Sequence, residues 1–204
     1  MQDLVPAFCV HDIGRGCTFS VGGLPSPLVP CPAEFEKLWD LHPAEFHDIR
    51  IHGRAVKTPR WSQAYGKDYH YSGQVNKALP VAAEFERYFG WVRQHVDGRI
   101  NALLVNWYDG NLGHYIGPHR DNRKYLIAGA PIVTISLGEE RVFRLRPWPA
   151  SLKGKAIDFA AKNGTVFVIP WETNQAFTHE VPTSKRMRGR RISVTLRAFV
   201  DDID

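Results

Sequence analysis

The chain is poor in sulfur. It has three cysteines and two methionines in 204 residues. Cys9, Cys17 and Cys31 are odd in number, lie toward one end and contain no C-x-x-C spacing. That excludes a disulfide framework and argues against a zinc site built on thiolates. Reduced cysteines fit a cytoplasmic or nuclear protein that is not secreted. Long apolar runs are also missing: none approaches the roughly 20 residues of a membrane span, so no membrane partner is expected. The opening stretch MQDLVPAFCVHDIG has no basic segment ahead of an apolar one, so no signal peptide is expected. Internal repeats and linker-like segments are absent, and the expectation is one domain over 1–204. Acidic residues are missing from Val181 to Val200, whereas Lys185, Arg186, Arg188, Arg190 and Arg191 crowd into seven residues. With a net charge of +5, this hints at a polyanionic partner, although a solvated loop is the ordinary fate of such a run.

What is present suits a folded core: 44% hydrophobic residues and 12% aromatic ones exclude a disordered chain. Residues 1–31 read as irregular with short strand-like pieces. Pro32 opens a helix, PAEFEKLWDL, with Phe35, Leu38 and Trp39 on one face. The stretch FHDIRIHGRAVKTPRWSQAYGKDYHYSG reads as hairpins and loops rather than core, with Tyr69 and Tyr71 on one face if extended. Pro80 opens a second helix. Val81, Phe85, Phe89, Val92 and Val96 give its spacing, and Gly98 gives its stop. From 100 onward the texture changes. Strands are expected at 100–108, 115–121, 131–137, 141–146, 155–159, 164–170, 176–181 and 191–200. About eight short strands punctuated by Gly, Pro and Asn indicate a sandwich or jelly roll. The fold class is therefore α+β, mainly β. An N-terminal extension, helices and hairpins occupy 1–99, and a β core occupies 100–204.

The organising stretch is NALLVNWYDGNLGHYIGPHRD, Asn101 to Asp121. Residues two apart on a strand share a face, so Asn106 projects with Tyr108, and His119 with Asp121. An imidazole and a carboxylate on one face can hold a metal from one side. A second, distant histidine would complete a two-histidine, one-carboxylate triad, which leaves positions open on Fe(II). Alone, H-x-D is also what a surface loop shows. His114 is too near in sequence to complete the set and reads as a loop histidine; His179, on a late strand, is a candidate.

The last strand, RRISVTLRAFV, places Arg191, Ser193, Thr195 and Arg197 on one face and Ile192, Val194 and Leu196 on the other. Two arginines on a central strand are costly unless they meet anions. A dicarboxylate in a pocket would satisfy them, since Arg grips carboxylates bidentately. An edge strand with its arginines in water is the other reading.

Five pieces in order make the chain recognisable: N-W-Y (Asn106, Tyr108), H-R-D (His119, Asp121), SLGEERVF (Ser136 to Phe143), TNQAFTH (Thr173 to His179) and RISVTLR (Arg191 to Arg197). The set resembles the AlkB family of Fe(II)- and 2-oxoglutarate-dependent dioxygenases, especially the members that repair alkylated bases. The resemblance extends upstream to PRWSQAYGKDYHYSG, the region of the family's nucleotide-recognition lid. It implies a double-stranded β-helix, with His119, Asp121 and His179 holding iron. Tyr108, Arg191 and Arg197 would hold 2-oxoglutarate, helped by Asn106 and Thr195, with Arg191 on the distal carboxylate and Arg197 nearer the metal. Ser193 stands where the family frequently has asparagine. Fe(II), 2-oxoglutarate and O2 are the implied cofactor and co-substrates.

The resemblance implies oxidative demethylation of bases in DNA or RNA of the 1-methyladenine and 3-methylcytosine type, yielding formaldehyde, succinate and CO2. A monomer would suffice. The same chemistry on a protein or small molecule, and a catalytically silent nucleic-acid-binding module, are the alternatives. A base inside a duplex must be flipped out to be reached. Tyr69 and Tyr71 would stack or guide it, or merely stabilise a hairpin. His52 stands where duplex-acting members have a larger wedge, and Asn122 where repair members often have an acid. Trp171 and Phe177 flank the second histidine, as pocket walls or as core aromatics. Arg141, Arg144, Arg146, Lys153, Lys155 and the 185–191 cluster would meet phosphates.

Overall fold

The computed structural model describes residues 7–51, 54–71, 74–151 and 154–200, so His52 and Lys153 lie outside the described residues. A hairpin of β1 (Cys9–Gly14) and β2 (Cys17–Gly23) precedes α1 (Pro32–Trp39). Then come β3 (Asp48–Ile51), β4 (Arg54–Lys57), β5 (Trp61–Tyr65), β6 (Tyr69–Tyr71), β7 (Gln74–Asn76) and β8 (Ala78–Leu79). After α2 (Ala83–His95) the chain makes β9 (Ala102–Asp109), β10 (Ile116–His119), β11 (Ile132–Gly138), β12 (Arg141–Pro147), β13 (Ile157–Ala161) and β14 (Thr165–Ile169). A short α3 (Trp171–Ala176) leads into β15 (Phe177–Val181), and β16 (Arg190–Arg197) follows.

Two sheets face each other in the manner of a jelly roll. The larger runs β1-β2-β14-β11-β16-β9-β5-β8, the smaller β10-β15-β12-β13. β16 pairs antiparallel with β11 on one side and β9 on the other. It is therefore a central strand, and its arginines are not in water: Arg191 is 0% and Arg197 3% exposed. The opposite face of β16 packs as its alternation demands. Ile192, Val194 and Leu196 join Leu103, Val105 and Trp107 of β9 against Phe85, Tyr88 and Val92 of α2 and Leu38 of α1. Each such side chain contributes about 1.5–3 kcal/mol on burial. The indole N–H of Trp107 donates to Leu38 O at 2.9 Å, tying α1 to the sheet. A second apolar cluster fills the space between the sheets around Phe19, Phe143, Phe167 and Phe177.

Four expectations are corrected. The strand-like pieces before residue 31 are more than irregular chain: Cys9–Gly14 and Cys17–Gly23 form a hairpin, and β2 hydrogen-bonds to β14 and extends the large sheet. WSQAY is not a loop but β5, paired with β9, with Ser62 and Ala64 buried. Helix α2 begins at Ala83, because Leu79 pairs with Tyr65 and holds the chain extended through Ala82. Nor does Gly98 stop it. Val96 ends it in the right-handed region, and Asp97 N–H reaches back to Val92 O. One glycine does act through its backbone. Gly138, at φ 87°, turns β11 toward β12, and a side chain there would collide with Arg190 O. No helix among the described residues is long and apolar enough to cross a membrane.

Candidate metal centre

β10 and β15 pair antiparallel so that His119 lies directly opposite His179, with ring centroids 4.2 Å apart. Asp121 follows two residues after His119. One ligand atom from each of His119, Asp121 and His179 lies within 4.8 Å of the others. The structure therefore gathers three residues separated by up to 60 positions into a set of two neutral nitrogens and one oxygen. Such a donor set suits Fe(II) and leaves one side of the ion open.

Each ligand is held from behind. His119 Nδ1 lies 2.9 Å from Gly117 O; a carbonyl only accepts, so Nδ1 carries the proton and Nε2 keeps its lone pair for a metal. The main chain of Asp121 is clamped by Asn174 of α3. Asp121 N–H donates to Asn174 Oδ1 at 3.0 Å, and Asn174 Nδ2 donates back to Asp121 O at 3.1 Å. The carboxylate accepts from Arg197 Nε at 2.5 Å and from the Tyr69 hydroxyl at 3.1 Å. Burial alone would raise the Asp121 pKa, but Arg197 and the two histidines outweigh it and hold the group well below the usual carboxylate range. Burial pushes His179 down to about 3, with His119 beside it adding to the push. His119 is lowered for the same first reason. All three groups thus stand at neutral pH in the forms a metal requires.

The cavity beside this triad has a volume of about 480 Å³, within the range typical of ligand sites. Asn106, Tyr108, Ser193, Thr195 and Arg197 line it. Register explains the grouping: Asn106 pairs with Ser193 and Tyr108 with Arg191 across β9 and β16. Arg191 does not line the cavity, but its guanidinium lies 5.2 Å from the ring of Tyr108, which does. Its Nε donates to Ser136 Oγ at 2.8 Å, while Nη1 and Nη2 are buried without a partner among the described residues. An unsatisfied buried guanidinium is what a carboxylate-bearing ligand would complete.

The proposed substrate residues divide. Tyr69 reaches the site, but its hydroxyl is spent on Asp121 and its ring faces the Arg197 guanidinium at 4.8 Å. Asn122 lines the cavity mouth, and its Oδ1 accepts from Lys124 N–H. Trp171 is not brought to the cavity. Like Phe177, it packs into the cluster between the sheets, because α3 turns its side chain toward that core. The side chain of Tyr71 lies outside the described part of the chain, as does His52. His114 is a buried loop residue whose Nδ1 accepts from Asp109 N–H at 3.1 Å.

The phosphate expectations need revision. Arg141 is 1% exposed and cannot meet a phosphate. Arg144 is paired with Asp158 at 2.6 Å and Arg146 with Glu180 at 2.6 Å. The basic run splits: Arg191 is buried and Arg190 pairs with Glu36, leaving Lys185, Arg186 and Arg188 exposed, with Lys155 exposed elsewhere. Sequence reasoning missed other cations at the mouth. Arg120 lies over Trp148 at 4.7 Å, and Arg123 donates to Gln175 Oε1 at 2.7 Å. It also missed Arg60, whose Nε donates to Asn106 Oδ1 at 2.9 Å, and Asn174 and Ser136. The last two stand inside motifs quoted for their neighbours, and no spacing rule singles them out.

A family model described as the 2OG-Fe(II) oxygenase superfamily matches residues 28–197. Over 179 residues the chain is 27% identical to the DNA oxidative demethylase ALKBH2 of Homo sapiens, covering 82% of this chain and 67% of that protein. With the same-named protein of Mus musculus it is 27% identical over 160 residues, covering 74% and 66%. The chain thus spans about two thirds of the length of these relatives. A solved structure described as that of OsALKBH1 aligns with a TM-score of 0.53 at 15% identity, covering 93% of this chain and 99% of that one. At that identity the likeness is one of fold.

Proposed function

Because the chain belongs to the 2OG-Fe(II) oxygenase superfamily, we propose that it removes alkyl groups oxidatively from bases in DNA or RNA. The observation that carries this reading is the cavity, open beside His119 and His179 and bordered at its mouth by Lys57, Arg120 and Asn122. The similarity to two DNA oxidative demethylases supports it.

When bound, Fe(II) and 2-oxoglutarate supply the activation of O2 and the oxidation of an N-methyl group, with formaldehyde, succinate and CO2 as products. The chain supplies placement. His119, Asp121 and His179 hold the metal from one side. Arg197 and Tyr69 fix the Asp121 carboxylate, and the charge of Arg197 helps keep it ionised. Arg191, with Tyr108, Asn106, Ser193 and Thr195, receives the co-substrate. Arg120 lines the cavity and Arg123 and Lys124 follow it closely in the chain, as candidates to meet a phosphate backbone, and only neutral partners hold Arg120 and Arg123 among the described residues. Asn122 brings no negative charge to the base, so preference for cationic 1-methyladenine and 3-methylcytosine over neutral methylated bases should be weak. The protein works as a monomer on unpaired strands in this reading, in the nucleus or cytoplasm.

A panel of methylated oligonucleotides, single-stranded and annealed, read by mass spectrometry, tests it. Loss of 14 mass units per methyl from at least one base, faster on the unpaired strand than on the annealed one, is expected. Succinate formation without demethylation of any oligonucleotide would redirect the reading to a protein or small-molecule substrate. Oligonucleotide binding should weaken steeply with salt.

A further inference from the structure

Two buried guanidiniums, one from each sheet, lie close enough for one to feel the other's charge. Arg191 comes from β16 of the large sheet and Arg141 from β12 of the small one. Gly138 pairs with Arg191, and three residues later the chain has crossed to the other sheet at Arg141. Arg141 shares the inward face of β12 with Phe143 and Leu145. Its Nη2 donates to His114 O at 3.0 Å and to Pro182 O at 2.9 Å. Among the described residues its Nε and Nη1 have no hydrogen-bond partner, nor do Nη1 and Nη2 of Arg191. Four buried donor nitrogens on two cations thus lack a partner in hydrogen-bond geometry, although the Tyr108 phenol, whose ring lies 5.2 Å from the Arg191 guanidinium, acts on both cations.

No carboxylate among the described residues forms an ion pair with either arginine. The acid whose charge Arg141 feels is Glu139, and that carboxylate accepts from Gly189 N–H. Burial pushes the Arg191 pKa down to about 10; Tyr108 opposes the shift and the charge of Arg141 adds to it. Guanidiniums nonetheless stay protonated in proteins. Two like charges taken out of water within reach of each other are unfavourable unless an anion joins them. One arginine would suffice for one bidentate carboxylate bond. The second makes the subsite selective for a ligand that brings a full negative charge to this end.

We propose that Arg141 is a second carboxylate-binding residue, gripping the distal carboxylate of 2-oxoglutarate together with Arg191, one guanidinium from each sheet. The dicarboxylate then links the two sheets through ionic contacts, and Arg141 passes its position to the loops at His114 and Pro182. This rests on the co-substrate and not on the nucleic-acid reading.

Calorimetric titration of the Mn(II)-loaded chain tests it without turnover, using 2-oxoglutarate and pyruvate. Pyruvate keeps the 2-oxo acid end and lacks the distal carboxylate. Arg141→Met should weaken 2-oxoglutarate by about ten- to hundredfold, the worth of a charge-assisted bond, and leave pyruvate unchanged. Arg141→Lys, which keeps a cation with fewer donors, should show the same selectivity at smaller size, and it carries the test if the methionine variant does not fold. Unchanged 2-oxoglutarate affinity in Arg141→Met would overturn the proposal. So would an equal loss for both acids, which would make Arg141 a support for His114 and Pro182 alone. Failure of the unaltered chain to bind either acid would remove the co-substrate site itself.

Discussion

Asn174→Ala should damage metal binding without touching a ligand. Asn174 is 2% exposed and Asp121 5%. Removing the amide strands Asp121 N–H and Asp121 O, which now bond to it at 3.0 and 3.1 Å. A buried polar group left unsatisfied costs about 1–3 kcal/mol, so the pair is worth roughly 2–6 kcal/mol less whatever water recovers. Against a typical domain stability of about 5–15 kcal/mol, the fold should survive in most of that range. The metal should suffer more selectively. Arg197 and Tyr69 still hold the Asp121 carboxylate, but its main chain is free to shift relative to His119 and His179. Loss of a group that orients a ligand typically costs about 10–100-fold in metal affinity. Urea unfolding followed by circular dichroism gives the first quantity, and Mn(II) calorimetry the second. Gln175→Ala, on the same short helix but directed at Arg123, is the control and should stay within about 0.5 kcal/mol. If Asn174→Ala matched that control in stability and bound Mn(II) as the unaltered chain does, the clamp would have no energetic role.

Other perturbations separate the roles further. His119→Ala, Asp121→Ala and His179→Ala should each abolish conversion of 2-oxoglutarate to succinate. Asp121→Ala alone should also destabilise the metal-free chain by about 3–5 kcal/mol, because it leaves Arg197 as a buried unpaired cation; equal urea midpoints for all three would contradict the ion pair. Arg191→Met should weaken 2-oxoglutarate about ten- to hundredfold and spare oligonucleotide affinity; the reverse pattern would move Arg191 to the phosphate surface. His114 is lowered from 6.5 by burial, so its contribution to stability is complete above about pH 6.5 and lost as pH falls below that value. The melting temperature should therefore drop from pH 7 to pH 5, and His114→Asn should flatten part of the drop; an unaltered slope would show that His114 titrates alike folded and unfolded.

Much of the β core was readable because its signal is local. Each expected strand from residue 100 onward has a counterpart, and the alternation in RISVTLR separated a packing face from a polar one. What escaped was short or inverted. Helix α3 has six residues, too few to show a period. In β5 the buried positions on one face are Ser62 and Ala64, small or polar, so the usual apolar alternation is missing and the strand looked like a loop. Arg60, at its entrance, was overlooked with it. Charge was the weakest guide. Sequence counts cations but not their partners, and Asp158, Glu180 and Glu36 each claim one arginine that looked free. Arg141 reads as surface charge in a run of basic residues, and only the inward pleat of β12 reveals it as buried.

The position of β16 bears on how the protein can be made. Ribosomal synthesis delivers it after every other strand among the described residues, yet it occupies the middle of the large sheet, between β9 and β11. Until Arg190–Arg197 emerges, those two strands lack their common neighbour, and the apolar faces that β16 covers against α2 stay open. The nascent chain must wait in an aggregation-prone state with its central gap unfilled. The same insertion delivers Arg191 and Arg197, so a chain cut short before Arg190 should lose folding and co-substrate capture together. Circular dichroism of such a truncated chain would show disorder where this account holds, and a native strand signal where it does not.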